Sequence, residues 1–264
     1  MMVTILDKIL VEKKKQIEIL LEEQPSMVES GVERPSLFNR LYRSEHLLVI
    51  SEIKRASPSK GLIAEAVNPE SQAKAYYEAG AACISVLTDT PFFKGSFKDL
   101  ADVARTVPIP LLCKDFIIHP VQIDHAKNAG ASVILLIVAA LNTKKLTELY
   151  EYATNLGLEV LVEVHDAEEL NRALQLGSKI IGVNNRDLRT FEVNLKRTEE
   201  IASIFPFHEE RVLISESGIW NTEDAERVAK AGARAVLVGE SLMRSGDVDS
   251  ALRSLQVELG GILK

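Results

Sequence analysis

Six polar side chains in this 264-residue sequence fall inside or at the end of runs that are otherwise apolar and β-branched. Glu52 and Lys54 lie two apart in VISEIK, so an extended backbone projects both to the face opposite Ile53. Lys114 follows LLC, Glu163 interrupts VLVEVH, Asn184 follows IIGV, and Glu216 sits within VLISES. Any one of these is readily explained as a solvated strand end or a structural ion pair. Five strand-like segments that each bring such a group imply a shared cluster, because burying unpaired charge costs several kcal/mol. Ammonium and carboxylate groups gathered in one place are the equipment of acid–base chemistry on a polar substrate.

A metal centre is the competing use of three glutamates. Glu52, Glu163 and Glu216 offer oxygens, but Lys54 and Lys114 in the same mouth would repel a divalent ion. The one histidine near these positions, His165, is expected to point away from Glu163. The lysines thus argue against a metal site.

A second signal comes from the last two strand-like runs. SESGI (Ser215 to Ile219) and VGES (Val238 to Ser241) place Gly218 and Gly239 where backbone N–H groups can approach an anion, and Ser217 adds a hydroxyl. Loops after the seventh and eighth strands of an α/β barrel commonly hold phosphate. Between the first strand and its helix, RASPSKG (Arg55 to Gly61) is longer than a connection requires, and it reads equally as an anion-contacting lid or a passive loop.

The elements that must position these groups repeat. Five times a helical stretch closes on Gly and an apolar strand follows, with Gly80, Gly130, Gly157, Gly177 and Gly232 at the stops. LLVISEIK, PLLCKDF and RVLISES add three strands without that Gly, making eight βα units. Eight near-equivalent units, with no GxGxxG after the first strand, predict an α/β protein of the (β/α)8 TIM-barrel class. Residues 47–264 form that barrel, and 1–46 an N-terminal helical extension packed on it, one domain overall. In the extension Ile5, Leu6, Ile9, Leu10, Ile17, Leu20 and Leu21 recur at helical spacing, and Lys13 to Lys15 reads as a solvated face. A polar break around Pro25 to Pro35 precedes a second short helix near Leu37 to Tyr42.

Composition narrows the partners. A net charge of −7 argues against broad docking on nucleic acid or acidic lipid, so any anion site must be local. The longest apolar run, Val133 to Leu141, is too short to span a membrane, and the charged N-terminus lacks a signal-peptide core. A cytoplasmic location follows by default, and a monomer is the simplest expectation. Cys83 and Cys113, each inside an apolar run without CxxC spacing, read as reduced core thiols.

The segments SEIKRASPSKG, CKDFIIHPVQ, LVEVHD, GVNNRDL, SESGI and LVGESLM, in this order, resemble the indole-3-glycerol-phosphate synthase family. The match runs from about residue 47 to the end, and the helical extension is similar too. The resemblance implies a carboxy-lyase of tryptophan biosynthesis that needs no cofactor and no metal. Its reaction converts 1-(2-carboxyphenylamino)-1-deoxyribulose 5-phosphate to indole-3-glycerol phosphate, with loss of carbon dioxide and water. It also implies roles. Lys114 resembles the general acid of ring closure. Lys54 resembles the lysine that pairs with substrate anions and serves dehydration, and Glu163 resembles the acid/base partner after decarboxylation. Glu52, Asn184 and Glu216 resemble orienting residues, Ser57, Ser217, Gly218 and Gly239 phosphate contacts, and Arg186 and Glu240 further substrate contacts. Two rival readings remain open at this point. A phosphoribosylanthranilate isomerase-like barrel would be expected to use a Cys/Asp pair instead, and a non-catalytic ligand-binding barrel would be expected to lose charges from the mouth.

Overall fold

The computed structural model describes residues 4–23, 33–58, 60–63 and 67–260. Eight parallel strands close into a barrel: β1 (Leu48–Ile53), β2 (Cys83–Leu87), β3 (Leu111–Lys114), β4 (Val133–Ile137), β5 (Glu159–Val164), β6 (Ile180–Asn184), β7 (Val212–Glu216) and β8 (Ala235–Val238). Two helices precede them, α1 (Ile5–Glu22) and α2 (Leu37–Arg43). The barrel helices are α3 (Pro69–Glu78), α4 (Phe97–Thr106), α5 (Pro120–Asn128), α6 (Thr143–Asn155), α7 (Ala167–Gln175), α8 (Lys196–Ala202) and α9 (Thr222–Ala231). After β8 come the short α10 (Glu240–Arg244) and α11 (Val248–Arg253). The expected (β/α)8 barrel with an N-terminal helix is the observed fold.

Local chemistry sets the helix ends. Asn68, Asp166 and Asn221 accept N–H bonds at the starts of α3, α7 and α9, and Pro opens α3 and α5. All five glycines expected at helix stops have positive φ, a conformation costly to residues with a Cβ. Alternation along the strands then divides the core in two. Leu112, Leu135, Leu161, Ile214 and Leu237 fill the barrel interior, whereas Ile84, Leu111, Ile134, Val162 and Val236 meet the helices. Both cysteines are buried and unbridged. Among the described residues no helix is long and apolar enough to cross a membrane.

The two helices of the extension take opposite ends of the barrel. Leu37 and Leu41 of α2 join the inner cluster, and the Glu159 carboxylate at the start of β5 accepts from Ser36 Oγ (2.6 Å) and from the N–H groups of Leu37 (2.6 Å) and Phe38 (3.0 Å). Nearby, the Arg34 guanidinium donates to the carbonyls of Ala104, Val107, Ile109 and Gly130, tying the chain to α4 and the turns beyond it. Together these close the amino end of the barrel. The break expected around Pro25 to Pro35 lies, up to residue 32, outside the described residues.

Helix α1 sits at the other end. Ile5, Leu6 and Ile9 line the mouth cavity, and Leu21, expected on the buried stripe, is exposed. The expectation for Lys13 to Lys15 also needs correction. Lys14 and Lys15 are exposed, but Lys13 is buried, its ammonium 2.8 Å from Asp89 and 2.6 Å from Asp115. Three consecutive helical residues point in three directions, so a charge run need not share one fate. Burial alone would favour loss of the Lys13 proton, but Asp115 and Asp89 outweigh it and raise the lysine above its ordinary value. Thr88 Oγ1 donates to the other Asp115 oxygen at 2.7 Å, completing the cluster. Lys13→Ala strands two buried carboxylates, and urea unfolding is expected to show a loss of about 3 kcal/mol. An unchanged midpoint would contradict the burial of this ion cluster.

Candidate active site

The carboxyl ends of the strands open into one cavity. It is lined by Glu52, Lys54, Lys114, Glu163, Asn184 and Glu216, the six groups singled out from the sequence. Lys54 Nζ donates to Glu52 Oε1 at 2.5 Å, a contact open to them because their two-residue spacing puts both on one face of the strand. Lys114 Nζ stands 3.5 Å from Glu163 Oε2 and 3.5 Å from Glu216 Oε2. These are ion-pair distances longer than good hydrogen bonds, so the ammonium is neutralised while N–H directions remain for a bound molecule. Asn184 Nδ2 donates to Glu163 Oε1 at 3.2 Å, and its Oδ1 accepts from Ser217 Oγ at 3.0 Å and from the Arg186 N–H at 3.0 Å.

Titration follows from this geometry. Burial disfavours the Lys114 ammonium, yet Glu216, Glu163 and Glu52 together hold it well above its usual value. Glu52 is likewise buried, but Lys54 and Lys114 keep it below the ordinary carboxylate range. The Glu163 and Glu216 pair splits. Burial would raise Glu163, but Lys114, His165 and the Asn184 hydrogen bond lower it. For Glu216 burial, with Glu163 and Glu52 beside it, outweighs Lys114 and pushes the carboxyl up to about 8. At neutral pH the mouth therefore presents a charged lysine, an ionised Glu163 and a Glu216 whose carboxyl, pushed up to about 8, favours its protonated form.

The phosphate candidates line the same cavity. Ser57, Ser217, Gly218, Gly239, Glu240 and Arg186 are all in its wall. Ser217 and Gly218 are consecutive residues with positive φ, 66° and 85°, which turns the chain sharply after β7. A Cβ on Gly218 would stand 2.4 Å from Val193 Cγ1, and one on Gly239 2.6 Å from Glu52 Oε1, so neither position has room for a side chain. The Glu240 carboxylate is engaged by Arg244 at 3.2 Å and Lys60 at 3.9 Å.

Several contributors escape a reading by strand alternation. Gly182 in β6 faces inward, and a Cβ there would come within 2.1 Å of Glu216 Oε1. The absence of a side chain is what lets Glu216 lie across the barrel. Asn185, fully buried, donates through Nδ2 to Ser215 Oγ, Glu216 O and Ser217 O, and accepts at Oδ1 from Thr198, fixing the turn after β7 from beneath. The second Asn of GVNNRDL was the available signal. Phe93, Phe116, Leu188 and Trp220 join Ile5, Leu6 and Ile9 as an apolar part of the wall. His165 corrects the expectation made for it. Residues 163 and 165 share the two-residue period, while Val164 between them packs outward, so His165 Nε2 lies 3.5 Å from Glu163 Oε1.

The indole-3-glycerol phosphate synthase family model matches residues 6–255 of the chain. The chain belongs to the indole-3-glycerol phosphate synthase family. A Bacillus cereus member named indole-3-glycerol phosphate synthase is 51% identical over 257 residues, covering 97% of this chain and 99% of the relative. An Oceanobacillus iheyensis protein of the same name is 47% identical over 256 residues, covering 97% and 98%. Among solved structures, thiamine phosphate pyrophosphorylase from Pyrococcus furiosus is similar with a TM-score of 0.59 at 19% identity, over 83% of this chain and 97% of that one. A mandelate oxidase gives 0.58 at 17% identity, over 79% and 71%. At such identities these two share the barrel alone.

Gly182→Ala tests the packing of Glu216 against β6. The variant is expected to fold with a near-normal melting temperature and to lose about a hundredfold in kcat as Glu216 and its partners are displaced. Full activity in this variant would show that Glu216 need not lie across Gly182.

Proposed function

We propose that this chain converts 1-(2-carboxyphenylamino)-1-deoxyribulose 5-phosphate to indole-3-glycerol phosphate, releasing carbon dioxide and water. The observation that carries the reading is the Lys114 ammonium held between Glu163 and Glu216 at the floor of a cavity with an apolar side and a glycine-lined turn. The substrate has matching parts: an aromatic ring, a benzoate, a ketone and a phosphate.

Ring closure requires the aromatic carbon that bears the carboxylate to attack the ketone carbon. Negative charge then develops on the ketone oxygen, and Lys114 supplies the proton. An ammonium already in place stabilises that developing charge more than it stabilises the neutral ketone. Carbon dioxide leaves from the attacking ring carbon, its bonding electrons returning to the ring and restoring aromaticity. Dehydration then expels the new hydroxyl with a proton from an acid, a role assigned to Lys54, which also pairs with substrate anions. The carbon beside the nitrogen loses a proton to a base, a role that suits the ionised Glu163. Glu52, Asn184 and Glu216 orient these groups, each through contacts already described. Arg186 contributes to substrate binding from the β6 loop.

The phosphate is assigned to Ser57, Ser217, Gly218 and Gly239, with Glu240 contributing its backbone N–H rather than its occupied carboxylate. The partners that follow are a small phosphorylated substrate, with no nucleic acid, membrane, metal or cofactor, for a monomer in the cytoplasm. The net charge of −7 supports the first exclusion.

Fluorescence of the newly formed indole ring tests the assignment. Lys114→Ala is expected to lower kcat by about a thousandfold with KM little changed, the size of effect a positioned general acid contributes. Near-normal turnover would remove Lys114 from that role. Ser217→Asp sets a negative charge beside the phosphate turn and is expected to raise KM roughly tenfold or more. An unchanged KM would locate the phosphate elsewhere.

A further inference from the structure

Behind Glu163 stands a histidine that the proposed reaction does not use. His165 is mostly buried at the end of β5, and each of its ring nitrogens faces a carboxylate. Nδ1 is 3.0 Å from Glu169 Oε2, a hydrogen bond, whereas Nε2 is 3.5 Å from Glu163 Oε1, an ion-pair distance at which this buried nitrogen makes no hydrogen bond. The same Glu169 oxygen accepts the His165 backbone N–H at 2.8 Å, while the Glu169 N–H is capped by Asp166 at 2.9 Å. Glu169 is therefore an acceptor held in place by the first turn of α7. A neutral imidazole has one N–H and would leave a lone pair facing one of the two carboxylates. Only the imidazolium offers a proton to both.

We infer that His165 is a positioning residue for this reaction, an imidazolium set between Glu169 and Glu163 whose charge keeps Glu163 ionised. The inference rests on the acid–base role proposed above for Glu163. The charges around the ring favour its protonated form. On the other side His165 lines a second cavity that Leu6 and Leu188 separate from the first. Asp166, Asp187 and Glu200 face that cavity, and its two arginines, Arg189 and Arg197, both pair with Asp187 at 3.3 and 2.8 Å. No cation there is left to oppose the imidazolium among the described residues of this wall. Burial works against the charged ring, but Glu169 and Glu163 prevail and raise it above the usual histidine value.

Two readouts test the bridge. Nitrogen-15 NMR of the intact protein at about pH 7 is expected to show both His165 ring nitrogens protonated; a neutral tautomer overturns the proposal. In kinetics, His165→Gln is expected to lower kcat about tenfold with little change in KM, and to move the acid limb of kcat/KM upward by about one pH unit. The sign follows because Glu163 without its cationic neighbour ionises only at higher pH. Glu169→Gln should move the limb the same way and by less, and serves if His165→Gln folds poorly. A loss of kcat with an unmoved limb in both variants would mean packing alone and would overturn the bridge. Glu163→Gln distinguishes the two levels of the account. If that variant is fully active, the role of Glu163 fails; if it is inactive while the limb stays unmoved in the other two, only the bridge fails.

Discussion

An ammonium group on the axis of a barrel is the constraint around which the rest of this molecule is arranged. Lys114 cannot stay charged there on its own, since leaving water costs more than any single exposed ion pair returns. Carboxylates from β5 and β7 offset that cost, but placing two of them near each other creates a new problem, relieved when Glu216 keeps its proton. Space follows charge. Glu216 can lie across the barrel because β6 has glycine at 182, and Glu52 can lie under the β8 loop because that loop has glycine at 239.

The N-terminal extension makes sense in the same terms. Asp115 is the next residue after Lys114 and so turns to the opposite side, where Lys13 of α1 meets it. One residue pair in β3 and its loop thus joins the chemistry to the helix that covers the mouth. Ile5, Leu6 and Ile9 on that helix supply apolar wall, which strengthens the electrostatic interactions of the charges below by excluding water. At the amino end, where no chemistry is expected, α2 fills the barrel with Leu37 and Leu41.

Much of this is legible in the sequence. Glycine stops and β-branched runs are local signals, and the eight units they mark supply the eight strands of the barrel. The charges at 52, 54, 114, 163, 184 and 216 stood out because a period of two assigns each strand residue to a face. Features that depend on pairing between distant elements did not show. Lys13 looked like one of three solvated lysines because its partners lie in loops far along the chain. Gly182 and Asn185 carry no chemistry of their own, and their importance appears only when Glu216 and the β7 turn come to rest against them. His165 was misplaced for a simpler reason: the two-residue period, applied consistently, puts it beside Glu163.

The central claim is that the mouth holds a charged Lys114 and one proton retained by the carboxyl pair beside it. Carbon-13 NMR of glutamate side-chain carboxyls across a pH titration measures that proton directly. One carboxyl signal is expected to have a midpoint near 8 and to be absent from Glu216→Gln, while the Glu163 signal titrates below the ordinary range. Finding every glutamate of the wild-type protein ionised by about pH 6 would contradict it.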